Sequence, residues 1–146
     1  MEIFEFINIF NKKKQENPFL FEDTLDVVGT DLEIREVEQK LAVALPQSYK
    51  EFVKKCGGGD FGYIDIFSVN KQGCWYIVKN NQDFKHYLPK NFIAISDDQT
   101  GGYYGYKILK DKCEEQIFYW HYDGGFDSNL VYQNIFDYII KVGFKG

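Results

Sequence analysis

The spacing of apolar residues changes at one glycine-rich stretch of the chain, Gly57-Gly58-Gly59. Before this stretch, apolar residues recur every three or four positions, which is the repeat of an amphipathic helix. After it, short runs of β-branched and aromatic residues are typical of strands, and the last apolar residues return to helical spacing. Helices followed by strands and a final helix predict an α+β fold, in which helices pack on an antiparallel β-sheet.

Three stretches that precede the glycines have helical spacing. Thr30 and Glu33 stand three residues apart, which is the spacing of a capping box, so the second helix should begin there. Pro46 disfavours helical geometry at Leu45 and suits the first turn of a new helix, so it should separate the second helix from the third. The three apolar stripes are, in chain order, Ile3, Phe6, Ile7 and Phe10; Ile34, Val37, Leu41 and Leu45; and Tyr49, Phe52, Val53 and Cys56.

The glycine-rich stretch raises the question of whether it binds a phosphate group. An anion-binding glycine loop follows a strand and precedes a helix, so that backbone N–H groups and the helix dipole converge on the ligand. Here the glycines follow a predicted helix and precede a predicted strand. Gly57 is therefore predicted to end the third helix in a left-handed conformation.

The second half of the chain predicts strands and one last helix. Residues 74–87 have a mixed pattern, and the sequence assigns them neither as helix nor as strand. Ile135, Tyr138, Ile139 and Val142 return to helical spacing before Gly143. The predicted strands are residues 63–69, 92–95, 103–108 and 116–121.

Length and composition predict one folded domain. The chain has 146 residues, of which 45% are hydrophobic and 18% aromatic, which is too apolar for a disordered chain. We expect a single domain over residues 1–146, with an N-terminal helix and irregular lead-in at 1–29 and a core at 30–142. The formal net charge of -5 repels a phosphate backbone, so nucleic acid is not expected as a partner, whereas a basic protein partner is permitted.

Cysteine usage and the N-terminal residues indicate a cytoplasmic protein. The three cysteines form no CxxC pair, and their odd number leaves at least one without a disulfide partner. Glu2 and Glu5 stand where a signal peptide would carry lysine or arginine. No apolar run approaches the roughly 18 residues that a membrane-spanning helix needs, so no membrane association is expected.

The order of several short motifs resembles that of the SUKH superfamily. In the first half these motifs are Leu45-Pro46, Tyr49 and Phe52, followed by Cys56-Gly57-Gly58. The second half continues with Phe92-Ile93-Ala94-Ile95, Asp97, Gly101-Gly102, Tyr104, Ile117-Phe118-Tyr119-Trp120, His121, Asp123 and Phe136. The resemblance covers residues 32–140 and implies a mixed α+β domain that works as a binding module.

The same resemblance implies a function. Bacterial SUKH proteins include immunity proteins that neutralise polymorphic toxins, many of which are nucleases, whereas eukaryotic members are regulatory scaffolds. We therefore expect a non-enzymatic antitoxin that binds a cognate, basic protein toxin and occludes it. A regulatory scaffold with several partners is the alternative, and the oligomeric state stays open.

Candidate partner-binding residues lie in the second half of the chain. Asp97 and Asp98, beside the glycine pair, could accept hydrogen bonds from a partner's arginine or lysine, or could bond their own turn. Exposed tyrosine and tryptophan make good interface anchors, but alternation along a strand does not tell which face is buried. The predicted site comprises Asp97, Asp98, Tyr103, Tyr104, Trp120, His121 and Asp123.

Catalytic and metal-binding patterns are weak in this sequence. Cys56, His121 and Asp123 have the residue types of a thiol nucleophile, a base and an orienting acid, and a hydrolase is the remaining alternative. Cys56, however, lies in an apolar helix stripe, where a thiol is inert packing. Cys113 with His121 has neither the spacing nor the number of ligands of a zinc site. We expect no metal and no cofactor.

Overall fold

The computed structural model describes residues 1–21 and 25–145, and part of the predicted lead-in, residues 22–24, lies outside the described residues. The helices are α1 (Ile3–Glu16), α2 (Asp31–Leu41), α3 (Gln47–Cys56), α4 (Ile77–Asp83) and α5 (Ile135–Tyr138), with 3-10 turns at Pro18–Phe21 and Lys85–Tyr87 and a π-helical turn at Ile139–Gly143. The strands are β1 (Gly59–Phe61), β2 (Ile64–Ile66), β3 (Phe92–Asp97), β4 (Gly102–Leu109), β5 (Lys112–Cys113), β6 (Ile117–His121) and β7 (Gly125–Tyr132). The α+β prediction is confirmed.

The strands form two antiparallel sheets. β1 and β2 make a hairpin, and the larger sheet has the order β3-β4-β6-β7, with β5 paired to β4. The outer edge of β3 is covered, because the Asn81 side-chain amide bonds the backbone of Ala94 and the Phe67 N–H donates to the Ile95 carbonyl. At the opposite edge the register between β6 and β7 shifts beyond Phe126. Such irregular edges discourage pairing with a further strand.

The start and end of α2 follow from two local interactions. Thr30 Oγ1 accepts from the Glu33 N–H at 3.2 Å, and a Glu33 carboxylate oxygen accepts from the Thr30 N–H at 3.0 Å, so the predicted capping box is confirmed. The prediction that α2 reaches Leu45 is wrong. The helix ends at Leu41 because Ala42 takes a left-handed conformation with φ of 55°, and Leu45 is buried beyond the helix.

The glycine-rich stretch ends α3, as predicted. Gly57 has φ of 83°, and a Cβ there would collide with the backbone carbonyl of Asp26, so a side chain is excluded on both grounds. The extent of the following strand was predicted wrongly. Gly59 already belongs to β1, which turns at Gly62 into β2, so residues 63–69 form the second strand of a hairpin and a buried extension.

Three helices or strands of the second half were not predicted, namely β5, β7 and α4. The sequence did not predict β7 because this strand has few regularly spaced apolar residues and most of it is exposed. The unassigned stretch contains α4, whose Asn81 is buried because its amide serves as the edge partner of β3. The predicted last helix is confirmed over α5, although its final turn widens into a π-helix.

The buried apolar side chains form one cluster from Ile3 to Phe144. α1 belongs to this cluster, because Phe6 packs against Phe52 and Phe136 with ring centroids 6.1 and 5.0 Å apart. On the sheet side of the cluster, Tyr138 packs on Tyr104 with ring centroids 4.5 Å apart. None of the described helices is both long enough and apolar enough to cross a membrane.

Candidate functional site

The turn between β3 and β4 is built around Asp98. One of its carboxylate oxygens accepts from the Thr100 N–H and the Thr100 hydroxyl at 2.8 Å and from the Gly102 N–H at 2.9 Å. The other oxygen accepts from the Tyr119 hydroxyl at 2.5 Å. Burial acts to raise the pKa of Asp98, but these hydrogen bonds outweigh it, so the pKa lies below its usual value. Asp98 therefore holds the turn together.

Asp97 lies beside this turn and accepts fewer hydrogen bonds than Asp98. It accepts a hydrogen bond from the Gln99 N–H at 2.8 Å and lines a cleft of about 200 Å³ together with Asp65 and Tyr63. The cleft is lined further by Ile64, Ser96, Asp98, Gln99, Tyr104, Tyr138 and Val142. The two aspartates of the predicted site thus have different environments, although they are adjacent in sequence.

Carboxyl groups cluster around Asp65. Asp65 lies directly opposite Asp60 in the β1–β2 hairpin. Burial, then a hydrogen bond and the charge of Asp60, then the charge of Asp97 raise the pKa of Asp65 to about 7, while Trp75 acts to lower it. The carboxylates in and beside the cleft therefore repel one another, and a cation bound there would relieve the repulsion.

The predicted aromatic residues divide between the two faces of the sheet. Tyr103 lies opposite Trp120 and packs on Phe84 with ring centroids 4.9 Å apart. Tyr104 lies opposite Tyr119 on the other face of the sheet, and the centroids of the two rings are 4.7 Å apart. Tyr103 and Tyr104 are both buried, so their side chains contribute little exposed surface.

The end of β6 brings the remaining predicted residues together. The Trp120 indole donates to the Tyr87 carbonyl at 2.8 Å. His121 Nε2 lies 3.0 Å from the Thr100 carbonyl, and His121 Nδ1 accepts from the Asp123 N–H at 3.1 Å. One neutral tautomer, with the proton on Nε2, satisfies both contacts. Asp123 is exposed and touches His121 through its backbone.

The cysteine environment opposes thiol chemistry at Cys56. Burial raises the pKa of the Cys56 thiol to about 12, although the charge of Lys14 acts to lower it. A nucleophilic cysteine needs the opposite shift, because the thiolate is the reactive form. Over residues 1–21 and 25–145, no group of three or more histidine, cysteine, aspartate or glutamate side chains could hold a metal ion.

Sequence reasoning missed three residues of this region: Asp60, Asp65 and Tyr119. Asp60 and Asp65 belong to a hairpin whose first strand was read as a glycine loop, so their cross-strand pairing could not be anticipated. One sequence signal could have indicated Asp65, which stands between two isoleucines. Side chains alternate along a strand, so the Asp65 side chain lies on the face opposite the isoleucines.

Comparison with known families identifies the fold. A family model named SUKH_6, described as SMI1-KNR4 cell-wall, matches residues 31–139, which is well over half of the chain. The chain belongs to the SUKH family. The predicted resemblance is therefore confirmed, and the match includes the whole larger sheet and all of α5.

A solved structure supports the same fold. The crystal structure of a protein from Pseudomonas syringae pv. tomato aligns with a TM-score of 0.72 and covers 93% of this SUKH chain and 99% of its own. The sequence identity is 15%, so this likeness concerns the fold alone. No curated protein matches the chain.

Proposed function

We propose that this SUKH protein is a cytoplasmic immunity protein that binds a cognate basic toxin and blocks it without catalysis. Membership of the SUKH family supports this proposal, because the resemblance to that family implies a binding module. The observation that carries the proposal is the acidic cleft, which Asp65, Asp97 and Asp98 line and in which burial and neighbouring carboxyl groups raise the pKa of Asp65 to about 7. A lysine or arginine of the toxin would restore the balance of charge there.

The proposed contact surface extends from the cleft to the end of β6. Asp97 lines the cleft, and His121 joins the Asp98 turn to the end of β6 because its ring contacts the Thr100 carbonyl. Asp123 follows His121 and bonds its ring through the backbone. Tyr122 is exposed and stacks on His121 with ring centroids 5.3 Å apart. Exposed acids would steer a basic toxin, and the aromatic rings would supply apolar contact area.

Occlusion is the proposed mechanism. The SUKH domain would cover the active site or substrate groove of the toxin, as charge complementarity brings the two surfaces together. Asp98 would act indirectly, because its oxygens are engaged by Thr100, Gly102 and Tyr119. Tyr103 and Tyr104 would support the surface from beneath, because they are buried.

The test begins with capture of the partner from the native host at two salt concentrations. The captured protein is then produced in bacteria with and without this protein, and growth is measured. We expect the partner alone to arrest growth and co-production to restore it. A partner that does not impair growth, or whose toxicity this protein does not relieve, would refute the immunity role and favour the scaffold.

The surface is tested with two matched variants. Asp97→Asn with Asp123→Asn should slow association with the toxin several-fold and flatten its salt dependence, because two steering charges are lost. Glu5→Gln with Glu16→Gln removes the same charge from exposed positions of α1 and serves as the control. Equal association rates for the two variants would show that the toxin binds elsewhere.

A further inference from the structure

A cleft between α2, α4 and the start of β3 has a basic rim. It has a volume of about 350 Å³, and Lys40 and Lys85 line it together with the apolar side chains of Leu88, Pro89 and Phe92. Both lysines are exposed. Lys40 also lies near the Tyr76 ring, with its Nζ 5.8 Å from the centroid. A cleft with apolar walls and cationic edges suits a ligand that carries both apolar and anionic groups.

Phe92 connects the cleft to the face of the sheet that carries Lys107, Phe118 and Phe126. Lys107 lies opposite Phe92 in the β3–β4 pair. The Phe92 ring is 5.9 Å from the Phe126 ring, and Lys107 Nζ lies 4.2 Å from the Phe118 centroid and 4.4 Å from the Phe126 centroid. We call the residues Lys40, Lys85, Leu88, Pro89, Phe92, Lys107, Phe118 and Phe126 the lysine-aromatic face.

The three lysines of this face lack an acidic partner within the described part of the chain. The ion pairs found over residues 1–21 and 25–145 involve Lys50, Lys54, Lys79 and Lys141. Asp83, which stands two residues before Lys85, is bound by Lys79 at 3.1 Å. Three lysines without acidic partners on one face of a protein with a net charge of -5 make that face complementary to carboxylates.

We propose that the lysine-aromatic face binds an acidic segment of a partner protein. Carboxylates of the segment would pair with Lys40, Lys85 and Lys107, and an apolar side chain would enter the cleft over Phe92. This surface has the opposite charge to the acidic cleft at Asp65 and Asp97. The proposal therefore does not depend on the immunity role or on a basic toxin.

The charge of the whole chain favours a peptide over a nucleic acid as the occupant. A nucleic acid strand extends beyond any short contact, so the negative surface around the lysine-aromatic face would repel its further phosphates. A short acidic segment needs only local complementarity, since screening limits exposed charges to about 8 Å at physiological salt. The occupant is thus a segment with a few carboxylates around one large apolar residue.

The experiment titrates the isotope-labelled whole protein with the peptide acetyl-Glu-Asp-Phe-Asp-Glu-amide and follows backbone amide shifts by NMR. We expect saturable shifts at Leu88, Phe92, Lys107 and Phe126. The matched peptide acetyl-Gln-Asn-Phe-Asn-Gln-amide, which lacks the charges, should bind at least about fivefold more weakly, because three exposed ion pairs are lost.

Two triple variants with the same net charge test whether the acidic peptide binds at the lysine-aromatic face. Binding of the acidic peptide should weaken at least about fivefold in the triple variant Lys40→Met, Lys85→Met and Lys107→Met. Lys12→Met, Lys55→Met and Lys71→Met remove as many charges outside the face and should leave binding within about twofold. Both variants are first checked for native amide dispersion. Lys107→Arg, which keeps the charge, should bind like the unaltered protein.

Four results would overturn the proposal. They are no saturable shifts with the acidic peptide, equal binding of both peptides, equal weakening by both triple variants, and tighter binding of a ten-nucleotide oligothymidylate than of the acidic peptide. The last result would assign the face to single-stranded nucleic acid.

Discussion

The rings of Tyr49 and Tyr106 pack edge to face with centroids 6.3 Å apart, yet only one of the two hydroxyls is satisfied. The Tyr49 hydroxyl donates to the Phe67 carbonyl at 2.6 Å. The Tyr106 hydroxyl is equally buried and has no hydrogen-bond partner within residues 1–21 and 25–145. Tyr49 thus ties α3 to the segment after β2, whereas Tyr106 contributes its ring.

Removal of each hydroxyl should therefore have a different effect. Tyr49→Phe should lower the free energy of unfolding by about 1 to 2 kcal/mol, because a buried hydrogen bond is lost. Tyr106→Phe should leave it unchanged or raise it slightly, because burial of an unpaired hydroxyl is unfavourable. Urea denaturation of the two variants measures the difference. Equal losses of stability would show that the Tyr106 hydroxyl has a partner in solution.

The hydrogen bonds of the turn predict that substitutions of Asp98 and Asp97 reduce stability by different amounts. Asp98→Ala should destabilise the protein by about 2 to 3 kcal/mol, since several donors lose a charged acceptor at once. Asp97→Ala should cost about 0.5 to 1 kcal/mol, because Asp97 accepts one backbone hydrogen bond. Thermal unfolding near neutral pH tests both. Comparable midpoints for the two variants would contradict the role given to Asp98.

Asp65 predicts a pH dependence of stability. Its pKa of about 7 in the folded protein exceeds the reference value of 3.8, so the folded state holds a proton that the unfolded state has already lost. Its contribution is fully present below pH 3.8 and declines as the pH rises toward about 7. Asp65→Asn should therefore raise the unfolding temperature at pH values above this window.

The measurement compares the unfolding temperatures of Asp65→Asn and the unaltered protein below and above that window. Their difference should grow with pH and then level off. The control is Asp31→Asn, whose exposed carboxylate pairs with Lys54 on the surface. A constant difference for Asp65→Asn across the window would show that its pKa is not raised.

The thiols should react at different rates. Cys74 is exposed, whereas Cys56 and Cys113 are buried and burial raises the pKa of each to about 12. At about pH 8 a thiol reagent should modify Cys74 rapidly and the other two only after unfolding. Cys74→Ser should remove the rapid phase. Rapid modification of Cys56 in the folded protein would revive the hydrolase alternative.

Local sequence patterns predicted the elements whose boundaries depend on nearby residues. The capping box at Thr30 and the glycine end of α3 are examples, because each interaction lies within one turn of chain. The end of α2 was predicted wrongly, since the left-handed conformation of Ala42 has no glycine to signal it. β7 was missed because it lacks a regular apolar alternation.

The site shows the same division. The end of β6 and the turn at Asp97 were predicted as parts of a partner-binding site from residue types alone. The separate roles of Asp97 and Asp98 depend on Tyr119, which reaches the turn from a strand further along the chain. The burial of Tyr103 and Tyr104 on opposite faces depends on what packs there, namely Phe84 on one side and Tyr138 on the other.

The sequence by itself determined the first three helices, the last helix, the α+β class and the family, because periodicity and caps act over a few residues and the motif order is linear. Only the tertiary structure decided which charges meet. Asp60, Asp65 and Asp97 converge because a hairpin and a sheet strand pack side by side. Lys40, Lys85 and Lys107 come to one face because Phe92 joins the cleft to the sheet. Such proximity depends on contacts between distant segments, and no local pattern records it.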